Sequence, residues 1–382
     1  MASIRSSVAC NADPNIVRAC LPLFESEKIQ AIEWAFDSLF TRKELPDWFD
    51  ELLQTFGDAG RLIGHGVFFS LFSGRWTPNQ QAWLRQLTSL SSIYQFDHIT
   101  EHFGFMTGAD FHTGAPLSIP LTESTLAIGQ DRLARIQEAC HCPVGLENLA
   151  FAYSVDDVKR QGDFLHQLLE PVNGFLILDL HNLYCQSQNF DLSGEDLLAM
   201  YPLDRVREMH VSGGSWSPSV STPNRKIRRD THDDAVPADL FAWLPSAMNR
   251  CPNLKYVVLE QLGSGLATEE DQRTFGTDFL TMDGIVQAKN GASPTHLPNP
   301  FEPPTSRSSN YLPLEDAHLY NQQRELSTIL ETASDYKQAQ TRLAASSVAH
   351  SAWDVERWEP AMLETAVAIA QKWQRGFTPT AR

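Results

Sequence analysis

No stretch of the 382-residue chain approaches the ~18 consecutive apolar residues of a membrane-spanning helix, so no membrane partner is expected. Basic residues are scarce: 30 Lys plus Arg stand against 47 Asp plus Glu, a formal charge of −17. Such a surplus repels phosphate backbones and argues against nucleic-acid binding, whereas bound cations would offset part of it. Cysteine is sparse, with six residues and no C-x-x-C pair. Cys140 and Cys142 flank His141 in "EACHCPVG", but no second pair lies nearby to complete a zinc knuckle. No G-x-G-x-x-G follows the first apolar run, which removes the dinucleotide-binding fingerprint. The opening residues "MASIRSSVACNADPNIV" hold no apolar stretch of signal-peptide length. The expectation is a cytoplasmic protein with reduced, mostly buried thiols.

What is present is alternation. Short runs rich in Val, Ile, Leu and Phe recur as "IRSSVAC", "IQAIEWAF", "RLIGHGVFF", "FDHITEHF", "CPVGLENLA", "FLILDLHNLY", "VREMHVSGG" and "KYVVLEQLG". Between them lie stretches of helical period such as "PDWFDELLQTF" and "STLAIGQDRLARIQEA". About eight such units predict an α/β fold, a (β/α)₈ TIM barrel, over residues 1–288. Residues 289–313 are dense in Pro, Ser and Asn and read as a linker. Residues 314–382 regain helical period and predict a helical C-terminal appendage.

Most of the strand-like runs end on a residue able to bind metal. These are His65, His102, Glu147, Asp179, His210 and Glu260, joined by Asp230 and His232 in "RRDTHDD". Alternation with Thr231 predicts that Asp230 and His232 point the same way from an extended backbone. A lone His at a strand end is ordinarily structural, and a lone buried carboxylate is costly unless paired or metal-bound. Eight such residues converging on one barrel mouth predict a metal site. The donors exceed the needs of one ion, so two or three ions are expected. A mixed nitrogen and oxygen set without thiolate suits iron, manganese or zinc.

The strings "GHGVFFS", "TEHFGF", "PLSIPLT", "GLENLAF", "LDLHNLYCQSQNF", "MHVSGG", "DTHDDAVP" and "VVLEQLG" occur in this order. Over about residues 1–285 they resemble the multinuclear non-haem iron-dependent oxidative enzymes (MNIO). This family, once known only as an uncharacterised domain, includes peptide-modifying oxidases like those of methanobactin biosynthesis. The resemblance implies a barrel holding two or three Fe ions, with dioxygen as co-substrate. It implies as substrate a ribosomal precursor peptide, modified at a cysteine or C-terminal residue in RiPP biosynthesis. It further implies a peptide-recognition partner protein, a role the appendage would take over or dock. By position, His65, His102, Glu147, Asp179, His210, Asp230, His232 and Glu260 would be the ligands, with Asn182 beside them; His181, and Glu33 read as the end of the second strand in "AIEWAF", are candidate supports. One departure matters: many members carry a second His shortly after the one matching His210, where this chain has Gly213 and Gly214.

The same ordered ligands also resemble the trinuclear-zinc apurinic endonucleases of the endonuclease IV-like barrels. Those carry His in place of Asn182 and DRH in place of DTH, and the acidic charge disfavours DNA. A zinc hydrolase, nuclease or isomerase is the alternative activity, and a metal-retaining scaffold is the non-enzymatic one. Other features read as structural: His98 as fold support, and Trp76, Trp216 and Trp243 as packing. The run Arg225, Lys226, Arg228 and Arg229 reads as a solvated loop or an attractor for an acidic peptide.

Overall fold

The computed structural model describes residues 3–40, 45–108, 114–292, 299–304 and 311–374. Eight parallel strands close into a barrel in simple chain order. They are β1 (Arg5–Ala9), β2 (Ala31–Ala35), β3 (Leu62–Gly66), β4 (Phe96–His102), β5 (Val144–Glu147), β6 (Phe175–Asp179), β7 (Val206–Ser212) and β8 (Tyr256–Glu260). Ring closure is made by β8 on β1, through Arg5 opposite Tyr256 and Val8 opposite Leu259. Each of the eight apolar runs supplies one strand, and the expected (β/α)₈ barrel is present. Among the described residues, no helix is long and apolar enough to cross a membrane.

Helices start where the sequence supplies caps. Asp13 accepts from the backbone N–H groups of Asn15 and Ile16, ahead of Pro14. Thr77 and Gln80 form a capping box at Pro78–Ile93. Two helices escape the periodicity reading. The run "FLILDLHNLY" looks like one long strand, yet the strand stops at Asp179, whose side chain caps the helix Leu180–Phe190. That helix is buried nearly all round, its polar side chains included, so it has no exposed face on which polar residues would mark the period. The helix Glu269–Ala292 has only a faint apolar stripe, and it runs past residue 288.

The barrel interior is layered. At the floor, the rings of His98, Phe175 and Tyr256 meet, with His98 4.7 Å from Phe175 and 5.5 Å from Tyr256. Phe301 joins them from below, 5.7 Å from Phe175 and buried. Of the stretch expected to be a linker, residues 293–298 and 305–310 lie outside the described residues. Its described part is anchored: Asn299 accepts from Arg207, and Asn173 donates to the carbonyls of Pro300 and Glu302. The chain then passes along the barrel wall, where Arg135 and Arg132 donate to the carbonyls of Tyr311 and Leu314. Beyond it lie the helices Ala317–Thr332, Tyr336–Ala344 and Pro360–Gln374, whose buried apolar residues belong to the main core cluster. Residues 375–382 of the expected appendage lie outside the described residues.

Candidate metal centre

The C-terminal ends of the strands bring all eight candidate donors to one mouth. His102, Glu147, Asp179 and Glu260 are the last residues of their strands. His65 and His210 sit slightly deeper, and Asp230 and His232 come from the loop after β7. His65 Nε2 lies 2.9 Å from His102 Nε2, and both face Glu147 Oε2, at 3.6 and 3.4 Å. His210 Nδ1 lies 3.8 Å from Glu147, 4.0 Å from Asp179 and 3.2 Å from Glu260. His232 touches Glu260 at 3.2 Å and Asp230 at 2.8 Å.

The donors fall into overlapping groups, each with its atoms within 4.8 Å of one another. His65, His102 and Glu147 form the first, and Glu147, Asp179 and His210 the second. Asp179, His232 and Glu260 form the third, and His181, Asp230 and His232 the fourth. Neighbouring groups share Glu147, Asp179 and His232 in turn, so the mouth is a continuous row of adjoining sites.

Supporting residues fix which atoms face the row. Glu33 Oε2 lies 3.1 Å from His210 Nε2, and Glu208 Oε1 lies 3.6 Å from the same atom. Those contacts occupy the underside of the ring and leave Nδ1 facing the mouth. Asn182 donates to Glu147 at 3.2 Å, while Asn148 brackets the backbone of Asp179 through both amide atoms. His181 Nε2 accepts from Arg228 Nε at 3.2 Å, so its proton sits on Nδ1 and is donated to Asp230 at 2.9 Å. Both ring nitrogens are thereby engaged, and His181 supports Asp230 from behind. The guanidinium of Arg228 lies over the rings of Tyr184 and Trp216, each 5.4 Å away. Cys185 Sγ lies 3.9 Å from His181, but burial pushes its thiol up and keeps it protonated, so it offers no thiolate.

Without a countercharge, the cluster divides protons unevenly. Burial raises Glu33 to about 7 against the pull of His210, and raises Asp179 to about 6 with help from Asp230. Burial also lifts Glu147 well above the carboxylate range. Burial, reinforced by His102, holds His65 far below its ordinary value, and burial lowers His102 to about 4. For His210 and His232, burial opposes the charge, but surrounding carboxylates, led by Glu33 and Asp230 respectively, outweigh it and raise both.

The donors fit cations by a direct observation. Asp179 Oδ2, His210 Nδ1 and His232 Nε2 are buried with no hydrogen-bond partner among the described residues. His210 Nδ1 and His232 Nε2 do keep ionic contacts, 3.2 Å to Glu260 and 2.8 Å to Asp230, while Asp179 Oδ2 faces His210 Nδ1 at 4.0 Å. Each orphaned buried group costs about 1–3 kcal/mol, and cations in the row would satisfy all three.

Several sequence expectations change in detail. His232 has a left-handed backbone, φ 50°, so Asp230 and His232 are not an extended pair; the bent loop brings them together instead. Glu33 lies in the middle of β2, beneath the mouth, not at the strand end. Glu208, Asn148 and Arg228 were missed as supports. Glu208 was findable, because it lies two residues before His210 on one strand and so shares its face. Gly213 and Gly214 are required by close packing: a Cβ there would lie 2.2 Å from the carbonyls of Ala235 and Arg229 respectively. The loop carrying Asp230 and His232 fills the space that a second His would need. Trp243 packs on Tyr184, and Trp76 receives Arg132 and Arg135.

Comparison with known proteins gives this geometry a lineage. A UPF0276 protein of Caulobacter vibrioides is 27% identical over 187 residues, covering 49% of this chain and 64% of that protein. One of Acaryochloris marina is 32% identical over 152 residues, covering 39% and 54%. These matches span less than two thirds of the relatives' own length. Among solved structures, the IolI protein with a bound zinc atom aligns with a TM-score of 0.47 at 13% identity, covering 73% of this chain and 94% of that one. The family model described as "RiPP precursor modification enzyme MbnB/TglH/ChrH" matches residues 25–262, more than half of the chain and the whole span from His65 to Glu260. The chain belongs to this family of RiPP precursor modification enzymes.

Proposed function

We propose that the chain is an iron- and dioxygen-dependent oxidase that modifies a ribosomally synthesised precursor peptide, at a cysteine or at its C-terminal residue. The observation that carries this reading is the row of overlapping donor groups with partnerless atoms, lying wholly inside the family match. His65, His102 and Glu147 would hold one ion, Glu147, Asp179 and His210 a second, and Asp179, Asp230, His232 and Glu260 a third. The nitrogen and oxygen donors suit iron, and family membership favours it over zinc. When bound, iron would supply the redox chemistry, with dioxygen as the oxidant.

The chain's own residues set the conditions for that chemistry. Glu33 and Glu208 hold the His210 ring, and Asn182 and Asn148 hold Glu147 and Asp179, as supports of this kind orient metal ligands generally. Asp179 and His210 are fully buried, which keeps water from the inner side. His102, Asp230, His232 and Glu260 keep 16 to 26% of their side-chain surface exposed. The peptide would approach over that edge.

Protein purified without oxygen should contain two or three irons per chain. With dioxygen it should change the mass of a cysteine-containing precursor peptide encoded beside it. Zinc occupancy, no oxygen uptake and cleavage of a phosphoester would replace this reading with a hydrolase. Peptide binding that survives loss of every donor would replace it with a scaffold.

A further inference from the structure

The loop that delivers Asp230 and His232 begins as a two-stranded ribbon, Trp216–Pro218 against Lys226–Arg228. Its base is tied to the helix Leu180–Phe190: Asn189 exchanges hydrogen bonds with the backbone of Arg228, at 2.8 and 3.0 Å. Its tip has little packing of its own, with Val220 81% exposed. One side chain from the far end of the chain holds it. Glu364, on the helix Pro360–Gln374, accepts from the backbone N–H of Val220 at 2.8 Å and of Ser221 at 3.0 Å. It also accepts from the hydroxyls of Ser219 and Ser221, both at 2.9 Å. Glu359 adds an ion pair to Arg225 at 3.0 Å.

The same C-terminal region grips other loops of the mouth. Trp358 stacks on Tyr153, after β5, with ring centroids 3.6 Å apart and planes 7° from parallel. Gln323 bridges Gly74 N and Phe72 O, after β3. Gly74 leaves no room for a side chain, since a Cβ would lie 2.5 Å from Tyr320 N. Arg324 donates to the carbonyl of Gly108, after β4. The C-terminal helices therefore lie across the rim of the barrel, and the ribbon is the part of that rim leading directly to donor residues. From Arg228 the chain continues through Arg229, whose N–H donates to Ser215 O at 2.8 Å, and Thr231, whose hydroxyl accepts from Ser215 N at 2.9 Å. Asp230 and His232 alternate with these anchored residues.

We propose that Glu364 is a positioning residue for the outer metal-binding pair, Asp230 and His232, acting through the ribbon it holds. The proposal rests on the metal-centre reading above. Its chemistry is that of a carboxylate held by a turn of N–H and O–H donors, four contacts from one side chain. Loss of those contacts frees the tip and leaves the ribbon to its base at Asn189, the Glu359–Arg225 pair and the Ser215 contacts, which loosens the outer pair in the row.

The test uses the full chain, titrated anaerobically with ferrous iron, with stoichiometry and Mössbauer spectra recorded. Glu364→Ala should weaken the last-filled ion by about 10- to 100-fold, the range seen when supports of ligands are removed. The more tightly held ions and their spectra should stay as in the wild type. Glu364→Gln, which keeps an acceptor for the turn, should recover part of the affinity. The double change Ser219→Ala with Ser221→Ala should give a milder form of the same selective loss, even if Glu364→Ala does not fold. A full complement bound with wild-type affinity in both the Glu364→Ala and serine variants would overturn the proposal. So would uniform weakening of every ion in step with thermal stability. Wild-type protein that binds fewer than two ions would instead overturn the metal-centre reading itself.

Discussion

The floor and the mouth of this barrel bury the same kinds of residue and solve the resulting electrostatic problem in opposite ways. At the floor, Asp97 meets His98 at 2.9 Å, Arg207 at 2.8 Å and Lys255, while His98 meets Glu208 at 2.7 Å. Opposing charges come from the chain itself: burial works to raise Asp97 and Glu208, yet the neighbours, led by His98, hold both carboxylates low. At the mouth, burial works to raise Asp230 and Glu260 but His232 holds both low, whereas burial leaves Glu147 and Asp179 raised, and Arg228 is turned to His181. Buried polar atoms without a hydrogen bond include Asp179 Oδ2, His210 Nδ1 and His232 Nε2 at the mouth, and Glu208 Oε1 beneath it. A buried charge cluster is stable only when it is paired. The floor is completed by Arg and Lys, and under the proposed function cations would complete the mouth.

Breaking the floor should have the largest effect on the fold. Arg207→Met leaves Asp97 and His98 without a buried guanidinium and should cost about 3–5 kcal/mol in denaturant unfolding. The cost should be the same with and without metal. Glu147→Gln should behave in the reverse way. Because burial already favours the protonated carboxyl, the amide mimics it, and metal-free stability should change by less than about 1 kcal/mol. Metal binding should be lost from both groups that share Glu147, and peptide oxidation with it. A large destabilisation of metal-free protein by this change would show that the mouth, like the floor, is internally paired.

The pH response should divide the two regions again. Asp179 is raised from 3.8 to about 6, so its folded, metal-free form favours the proton. That contribution to stability is present at low pH and fades as pH rises through about 6. Cation binding must expel the same proton, so iron affinity should climb between pH 5 and 8. Floor carboxylates, held low, should not titrate in this window. Iron affinity independent of pH across that range would contradict the assignment of Asp179. The smallest effect is expected from Arg357→Ala, whose pair with Asp156 is exposed and should change stability by less than about 1 kcal/mol.

Much of this was legible in the sequence because a barrel converts chain order into geometry. Residues as distant as Asp179 and Glu260 come together because each ends a strand, and hydrophobic runs of the right length mark those strands. What stayed hidden lies off that pattern. The helix Leu180–Phe190 opens by continuing the apolar run of β6 and so passes for strand, and Glu269–Ala292 has too weak a stripe to be read. The bend at His232 depends on a left-handed backbone that no local periodicity announces. Phe301 and Glu364 act through contacts with residues more than a hundred positions away. Pro- and Ser-rich composition gives no hint that Phe301 completes the floor.

The central claim, that cations complete the mouth as Arg207 and Lys255 complete the floor, is tested most directly by counting metal in wild-type protein purified without oxygen. Elemental analysis paired with native mass spectrometry should find two or three ions per folded chain, with the count reduced in Glu147→Gln and unchanged in Arg357→Ala. A folded wild-type protein that retains no ion, or that saturates with one, would contradict it.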